Sequence, residues 1–494
     1  MKQTVLTESG SQSKQFAINV SANTAVMLFN TVIGLWFTPF LIRNLGVATY
    51  GIVILATSLT TYMSIFNTAI DNAIGRFLTI DIHAQHFDKA TRTFNTALWS
   101  TLGISLGIIP IILFISYQSP TWFDVPVGQE QAARWLFALV MFSYLFVLLR
   151  SVFTASTFVH NRLDLKNIII TSNTVVRILV VVAFFVFFAQ PQAWQVGVAT
   201  LLGAILSLFL SLYIWRILTP ELNIQLRLFD KTSLHEMIGM SGWLLINQVG
   251  SLLFLNIDLI VVNRYLGATA QGRYGSVLQL AIVLRTLAAT VGTAITPIAL
   301  AQYARRDWQQ MTYMTRTAVK WMGLIMALPI GGIVGLSKPL LHVWLGAEFT
   351  DLAPLVVVLV AHLCVNLAIR PLLSIQTALN KVRWPGIITL LFGVINLLLA
   401  IWWVRWDTMG IGIALAGAIV LTIKNSIFTP IYGAYIQKLP WYTFLWPILP
   451  SLVGFVLVSV SGYASVLFWS LNSWFSLALV GIVLTILYLL LFIH

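Results

Sequence analysis

The 494-residue chain is 59% hydrophobic and only 9% charged, and its mean hydropathy of +0.90 lies far above that of a water-soluble domain. This composition excludes a soluble enzyme and predicts a polytopic membrane protein. The formal net charge of +13 does not imply a nucleic-acid partner, because most basic residues sit in short connections between apolar runs, where the positive-inside rule accounts for them.

Fourteen apolar runs are long enough to cross a bilayer as helices, which takes about 17–25 residues. We therefore predict an all-α protein with spans at 18–42, 51–75, 95–117, 133–159, 168–189, 194–215, 240–264, 275–299, 317–337, 352–376, 386–404, 411–435, 443–461 and 473–492. Residues 1–14 lack the apolar core of a signal peptide, so the first span is expected to direct its own insertion. Lys and Arg are concentrated in the connections of one side, which predicts cytoplasmic N- and C-termini.

The chain contains an internal repeat. A Leu-Gly pair at 45–46 and a Tyr-Gly pair at 50–51 recur at 266–267 and 274–275, with three extra residues in the second loop. We predict two halves in the same orientation, residues 1–217 with helices 1–6 and residues 237–436 with helices 7–12. A cytoplasmic linker, 218–236, would join them and form an interfacial helix, and residues 437–494 would add helices 13 and 14.

The second span carries a polar stripe at helical spacing, formed by Thr57, Thr60, Ser64, Thr68, Asp71 and Gly75. Helix 1 contributes Asn30, and helix 7 places Asn247 and Gln248 on the face that carries Asp258. Polar groups of this kind often form hydrogen bonds between packed helices. Their occurrence on helices 1, 2 and 7 together favours a cavity shared by the two halves.

Basic residues outnumber acidic residues inside the spans. The acidic pair is Asp71 and Asp258, and the basic residues are Arg76, Arg150, Arg177, Arg285, Lys320, Arg370 and Lys424. Charges at this depth normally face protein or a water-filled cavity, so the interior is predicted to be electropositive and suited to a phosphate group. Arg285 is the favoured ligand contact. Other interpretations stay open: snorkelling for Arg76 and Lys320, and structural pairing for Arg150, Arg177 and Lys424.

Several kinds of chemistry have no sequence signal. The chain has no phosphate loop of the GxxxxGK type, no histidine spacing typical of a metal site, and a single cysteine, Cys364. The first external loop, 43–50, has no acidic residue that could act in acid–base catalysis. We therefore expect no enzymatic activity, no metal and no cofactor.

The run from Leu45-Gly46 through Tyr50-Gly51 to Gly75-Arg76-Phe77, followed by fourteen helices in two halves, resembles the Wzx-type polysaccharide flippases. These belong to the multidrug/oligosaccharidyl-lipid/polysaccharide exporter (MOP) superfamily. The resemblance implies two six-helix lobes in a V with a cationic central cavity. It also implies alternating access that carries a polyprenyl-pyrophosphate-linked oligosaccharide across the bacterial cytoplasmic membrane, with helices 13 and 14 assisting the lipid tail.

In such relatives transport is driven by an ion gradient or the membrane potential, so the resemblance makes Asp71 or Asp258 the coupling carboxylate. Membrane lipid is an expected partner, and a glycan polymerase and assembly proteins are possible partners. Two alternatives remain open. A drug or cation antiporter of the same superfamily would need an acidic cavity, and a membrane glycosyltransferase or polymerase would need acidic or large external loops.

Overall fold

The computed structural model describes residues 2–188, 190–293, 302, 307–379, 381–407 and 409–492, and within this part the chain forms helices but no strands. The α-helices are α1 Lys2–Leu45, α2 Val47–His83, α3 Phe87–Trp122, α4 Glu130–Val159, α5 Leu163–Phe187, α6 Ala193–Leu218, α7 Lys231–Leu255, α8 Ile257–Thr293, α9 Trp308–Gly335, α10 Ser337–Trp344, α11 Ala353–Ala361, α12 Leu363–Ala368, α13 Arg370–Ala378, α14 Arg383–Trp403, α15 Ile411–Ile423, α16 Thr429–Ile436, α17 Leu449–Phe468 and α18 Trp474–Phe492. A π-helix, Lys424–Phe428, joins α15 to α16.

The prediction of an all-α membrane protein with about fourteen spans is confirmed. Thirteen helical stretches of the described residues are long and apolar enough to cross a bilayer, and one of them, Ile246–Gly292, has 47 residues. This stretch covers residues 246–264 of the seventh predicted span and residues 275–292 of the eighth; residues 294–299 of the eighth lie outside the described residues. Gly267, with φ 90° and ψ 174°, breaks the helix between the two spans.

The two glycines of the predicted repeat adopt the same backbone conformation. Gly46 has φ 79° and ψ 159°, close to the angles of Gly267, and only glycine enters this region without strain. In each copy a tyrosine follows the turn, and its hydroxyl contacts a side chain on the preceding helical segment. Tyr50 donates to Thr38 Oγ1 at 3.3 Å, and Tyr274 forms the corresponding bond described below. The two copies of the repeat therefore form the same local structure, a glycine turn followed by a tyrosine that is hydrogen-bonded to the preceding helical segment.

The chain divides into two compact units, Met1–Val249 and Gly250–His494. In the first unit, α4 packs against α2, α3 and α6. Its core includes three mutually packed aromatic rings, of which Phe94 and Trp215 are stacked with centroids 5.3 Å apart and Phe153 meets both edge-on. Burial of large rings of this kind holds α3, α4 and α6 together.

In the second unit, α9 packs closely against α17 through small residues. A Cβ at Gly335 would lie 2.5 Å from the Ser459 carbonyl oxygen and 3.1 Å from the Cα of Gly462, so only glycine fits this crossing. Helix α18 is tied to the same helix, because the Tyr488 hydroxyl donates to the Leu324 carbonyl at 2.8 Å. The two C-terminal spans are thus packed on α9.

Between α6 and α7, residues 219–230 contain only a 3-10 turn, Leu226–Leu228, and residues 231–236 of the predicted linker form the start of α7. The interfacial position of a linker helix stays a prediction. The backbone of residues 219–230 is hydrogen-bonded by α3. The buried Asn95 side chain donates to the Asn223 carbonyl at 2.7 Å and accepts from the Gln225 amide at 2.7 Å. Because these bonds satisfy the polar backbone, residues 219–230 need no helix of their own. The domain boundaries at 218 and 236 stay a prediction.

Candidate functional site

The first part of the candidate site is a buried pair on α8. Asp258 and Tyr274 are 6% and 0% exposed, and the Tyr274 hydroxyl donates to Asp258 Oδ2 at 2.9 Å. Residues sixteen apart on a straight helix would be far from each other, about 24 Å along the axis. They meet here because the break at Gly267 folds the helix back on itself.

Arg285 lies further along α8 and is half-buried. It interacts electrostatically with Asp258, Tyr274 and Arg370, and also with His362. The structure thus brings together three residues that were predicted separately from the sequence, on three different spans: Arg285, Asp258 and Arg370. The helix that carries Arg370 is interrupted at Ile369, between α12 and α13.

A network of amide side chains continues from this cluster. Asn366 Nδ2 lies 2.7 Å from His362 Nδ1, and Asn366 Oδ1 accepts from Asn425 Nδ2 at 2.9 Å. The Lys424 ammonium donates to Asn425 Oδ1 at 3.4 Å, and Lys424 is only 8% exposed. Asn366 lies four residues before Arg370, so the amides and the guanidinium group share one region of the unit.

Lys424 and Asn425 open the π-helix that interrupts the twelfth predicted span. A π-helix inserts an extra residue into an α-helix and occurs frequently at functional sites. Here both residues are buried, at 8% and 7% exposure, although neighbouring positions on a regular helix face directions about 100° apart. The π-helix therefore directs two consecutive polar side chains into the second unit.

In the second unit, Arg285 thus interacts with Arg370 and with Asp258, which already accepts a hydrogen bond, and the amide network connects His362, which also interacts with Arg285, to Lys424. Arginine binds phosphate oxygens in a bidentate manner, and lysine adds a point charge. The arrangement is suited to an anion with several oxygen atoms. We call Arg285, Arg370, Lys424 and Asp258 the cationic cluster.

The first unit contains a polar cavity with a volume of about 470 Å³, lined by Asp71, Gly75, Arg76, Thr154, Ala155, Phe158 and Lys166. The Lys166 ammonium lies 3.7 Å from Asp71 Oδ2. Arg150 interacts electrostatically with Asp71 and donates to Ser207 Oγ at 3.1 Å. Asp71, Arg76 and Arg150, which the sequence singled out, therefore lie in one neighbourhood of this unit.

Arg177 lies elsewhere on α5. Its guanidinium carbon is 5.8 Å from the centroid of the Phe37 ring of α1, a cation–π contact, and its Nε has no hydrogen-bond partner in the described part of the chain. The structure places its guanidinium against α1 and does not bring it to the cavity residues. This geometry agrees with the structural pairing that the sequence left open.

The polar stripe of α2 is divided in two. The hydroxyls of Thr57, Thr60 and Ser64 donate to carbonyl oxygens of their own helix at 2.6–2.9 Å, whereas Asp71 and Gly75 line the cavity. The Thr68 side chain lies outside the described residues. Of the stripe members whose side chains are described, Asp71 and Gly75 line the polar space.

Asn30, Asn247 and Gln248 lie on α1 and α7 and are half-buried. Their substrate role stays a prediction. Nearer the N-terminus of α1, Asn167 donates to Asn23 Oδ1 at 2.6 Å, which is the hydrogen bonding between packed helices that the sequence left open.

The sequence analysis missed four polar residues of these two regions. Lys166 was placed in a loop, but it lies in the first turn of α5 beside Asp71. His362 and Asn366 were not singled out, although with Arg370 they repeat at intervals of four residues, a helical-face signal. Tyr274 was seen only as part of the repeat. Among the described residues, no group of three or more His, Cys, Asp or Glu side chains is placed to hold a metal ion.

The comparison with solved structures defines the fold. The chain matches a structure described as lipid II flippase MurJ in an inward closed conformation, with a TM-score of 0.69 and 15% identity, over 94% of this chain and 97% of that one. It also matches an inward-facing MATE family transporter of the MOP superfamily, with a TM-score of 0.62 and 15% identity, over 91% and 98%. With its many helices that are long and apolar enough to span a bilayer, the protein is a multi-pass membrane protein, and it has the fold of these two structures.

The sequence comparisons define the family. Residues 16–304 match the family described as polysaccharide biosynthesis protein. The chain is 33% identical over 477 residues to the uncharacterized membrane protein EpsK of Bacillus subtilis (strain 168), covering 96% of this chain and 94% of that protein. It is 23% identical to a putative O-antigen transporter of Shigella flexneri, over 72% and 84%. The chain belongs to the polysaccharide biosynthesis protein family, as the resemblance indicated.

Proposed function

We propose that this transporter moves a polyprenyl-pyrophosphate-linked oligosaccharide from the inner to the outer leaflet of the bacterial cytoplasmic membrane by alternating access. Both termini would lie in the cytoplasm. The family and the fold support a transporter of polysaccharide biosynthesis. On the outer side, the glycan would pass to a polymerase and to assembly proteins.

The observation that carries this proposal is the cationic cluster of the second unit. A charged side chain at the bilayer centre costs at least about 2.5–3.5 kcal/mol on insertion scales, so three cations with one carboxylate are costly without an anion. A pyrophosphate offers several negatively charged oxygens, which Arg285 and Arg370 can bind in a bidentate manner. A cationic drug would be repelled by the same residues, which disfavours the antiporter alternative.

We assign ion coupling to Asp258. Its Oδ1 and the Oδ1 of the fully buried Asn396 have no hydrogen-bond partner in the described part of the chain. Both side chains converge on Gly417, where an added Cβ would lie 3.6 Å from Asn396 Oδ1 and 4.0 Å from Asp258 Oδ2. Unpaired buried oxygens favour a proton or a small cation. Asp71 is the weaker candidate, since Lys166 already pairs with it.

The test replaces Arg285 in cells that depend on this transporter for surface polysaccharide. We expect Arg285→Ala to abolish export and to cause lipid-linked glycan to accumulate, because a charge-assisted bidentate contact is lost. Arg285→Lys retains the charge without the bidentate geometry and is expected to give partial export. The readouts are surface glycan, lipid-linked glycan and the amount of transporter in the membrane.

Arg273→Ala is the matched control, because Arg273 lies on the same helix and pairs with Asp351 near the surface, where ion pairs contribute little. This variant is expected to export normally. Normal export by Arg285→Ala, at a wild-type level of protein in the membrane, would contradict the proposed pyrophosphate site.

A further inference from the structure

The polar cavity of the first unit has no role in the pyrophosphate site assigned above. It is formed by the last third of α2, the C-terminal part of α4 and the first turn of α5. Its volume of about 470 Å³ falls within the ~300–1,000 Å³ typical of small-molecule sites. Its lining combines charged, hydroxyl and aromatic side chains, which is unusual for a surface that packs against lipid.

The charges of this cavity remain accessible. The side chains of Lys166 and Asp71 are 33% and 39% exposed, and their separation of 3.7 Å is longer than a hydrogen bond. Arg76 lines the same space, and Arg150 interacts with Asp71 from behind. Three cations therefore surround one carboxylate, and the cavity favours a ligand with a single negative charge over a neutral one.

One wall of the cavity is an uncovered aromatic ring. Phe158 is 54% exposed, although it lies on α4, the helix that packs against three others in this unit. The ring packs closely against α2 at Gly75, where an added Cβ would lie 3.2 Å from Phe158 Cδ1. Thr154 lies one turn before Phe158 and lines the same cavity, and its hydroxyl donates to the Ser151 carbonyl at 2.9 Å.

This combination matches the chemistry of an acidic sugar. The C–H face of a pyranose ring is apolar and packs on an aromatic face, while its hydroxyls donate to carboxylate or hydroxyl oxygens. A carboxylate substituent pairs with Lys or Arg. A pyrophosphate fits less well, because Asp71 lines the cavity as an exposed carboxylate, unlike the buried Asp258 that accepts from Tyr274, and because Phe158 offers no hydrogen bond.

We propose that the cavity binds a negatively charged sugar of the transported glycan. Lys166 and Arg76 bind its carboxylate, Phe158 packs against its ring, and Asp71 accepts from its hydroxyls. This assignment rests on the proposed function, since the sugar belongs to the head group whose pyrophosphate is assigned to the second unit. It makes the glycan of this transporter an acidic polysaccharide.

The test measures binding of two probes to the purified full-length protein in nanodiscs by saturation-transfer NMR. The probes are trigalacturonate and its methyl ester, which has the same rings without the charge. We expect the acid to bind about tenfold more tightly than the ester, as two ion pairs in a partly exposed site, with Lys166 and Arg76, provide. Lys166→Gln removes one of these pairs and is expected to reduce the preference to about threefold, without a change in ester binding.

Two further variants separate the parts of the site. Phe158→Leu is expected to weaken binding of the acid and of the ester by the same factor, because the aromatic ring packs against the sugar rings of both. Lys89→Gln is the matched charge control, since Lys89 is a largely exposed lysine that pairs with Asp81 outside the cavity. This variant is expected to change neither the affinity for the acid nor that for the ester.

Equal affinity for acid and ester would overturn the proposal, as would equal effects of Lys166→Gln and Lys89→Gln. Displacement of trigalacturonate by inorganic pyrophosphate at a lower concentration than by galacturonate would assign the cavity to phosphate instead. The outcome is separable from that of the export assay. If Arg285→Ala abolishes export but the acid and the ester bind equally, the sugar site is refuted and the flippase proposal is supported. If Arg285→Ala exports normally but the acid binds more tightly than the ester, the pyrophosphate site is refuted and the sugar site is supported.

Discussion

Replacing Tyr274 with phenylalanine removes one hydrogen bond and tests whether Asp258 is held in the arrangement described. The bond of 2.9 Å joins a fully buried hydroxyl to a buried carboxylate. Hydrogen bonds to charged groups contribute about 1.5–3 kcal/mol, whereas interhelical bonds in membrane proteins average about 0.6 kcal/mol with a maximum near 1.7. Asp258 Oδ1 has no hydrogen-bond partner in the described residues, so the variant leaves the carboxylate without this support. We therefore expect Tyr274→Phe to lower the free energy of unfolding by about 1.5 kcal/mol, near the maximum for interhelical hydrogen bonds in membrane proteins.

The repeat provides a matched control in Tyr50→Phe. The Tyr50 hydroxyl donates to the neutral Thr38 hydroxyl at 3.3 Å, a longer bond without charge assistance. Tyr50→Phe is therefore expected to lower the free energy of unfolding by about 0.5 kcal/mol. The free energy of unfolding is measured in mixed micelles by tryptophan fluorescence as the proportion of dodecyl sulfate increases. A double-mutant cycle with Asp258→Asn isolates the pair. Equal losses in the two tyrosine variants, or no coupling between Tyr274 and Asp258, would refute the reasoning.

Two further predictions concern the packing of helices and the linker. Gly335→Val is expected to destabilise the protein by about 1–3 kcal/mol, because the Cβ would clash with the Ser459 carbonyl. Gly332 has open space around it, so Gly332→Val is expected to lower the free energy of unfolding by less than about 0.5 kcal/mol in the same measurement. Asn95→Leu removes both linker hydrogen bonds and is expected to increase trypsin cleavage at the exposed Arg227 several-fold; an unchanged cleavage rate would show that Asn95 does not anchor the linker.

The helices were predictable because their signal is strong and local. A run of about 20 apolar residues has to form a helix in a bilayer, since no water is present to satisfy its backbone. The Leu-Gly pairs at 45–46 and 266–267 were also visible, because only glycine takes the positive φ of that turn. The conformation of residues 219–230 could not be predicted, because it depends on Asn95, which is distant in sequence.

The sequence identified the candidate residues but did not show which of them lie close together. Charges inside apolar runs identified Arg285, Arg370 and Lys424, but their proximity depends on a helix break at Ile369 and on the π-helix at Lys424. Neither feature has a strong sequence signal, since only Pro371 suggested the break. Lys166 was missed because the composition of its surroundings resembled a loop, and its function depends on Asp71, which is 95 residues away.

The central claim is tested most directly by transport with purified components. The protein is reconstituted in liposomes that contain a fluorescent oligosaccharide on a polyprenyl pyrophosphate, and the fraction reached by an external glycosidase is followed over time. Our account predicts translocation above that of protein-free liposomes, about tenfold slower transport of the same glycan on a polyprenyl monophosphate, and loss of transport in Arg285→Ala. Asp258→Asn is predicted to remove any stimulation by a sodium or proton gradient. Equal transport by the wild type and Arg285→Ala, or none by the wild type above protein-free liposomes, would contradict the account.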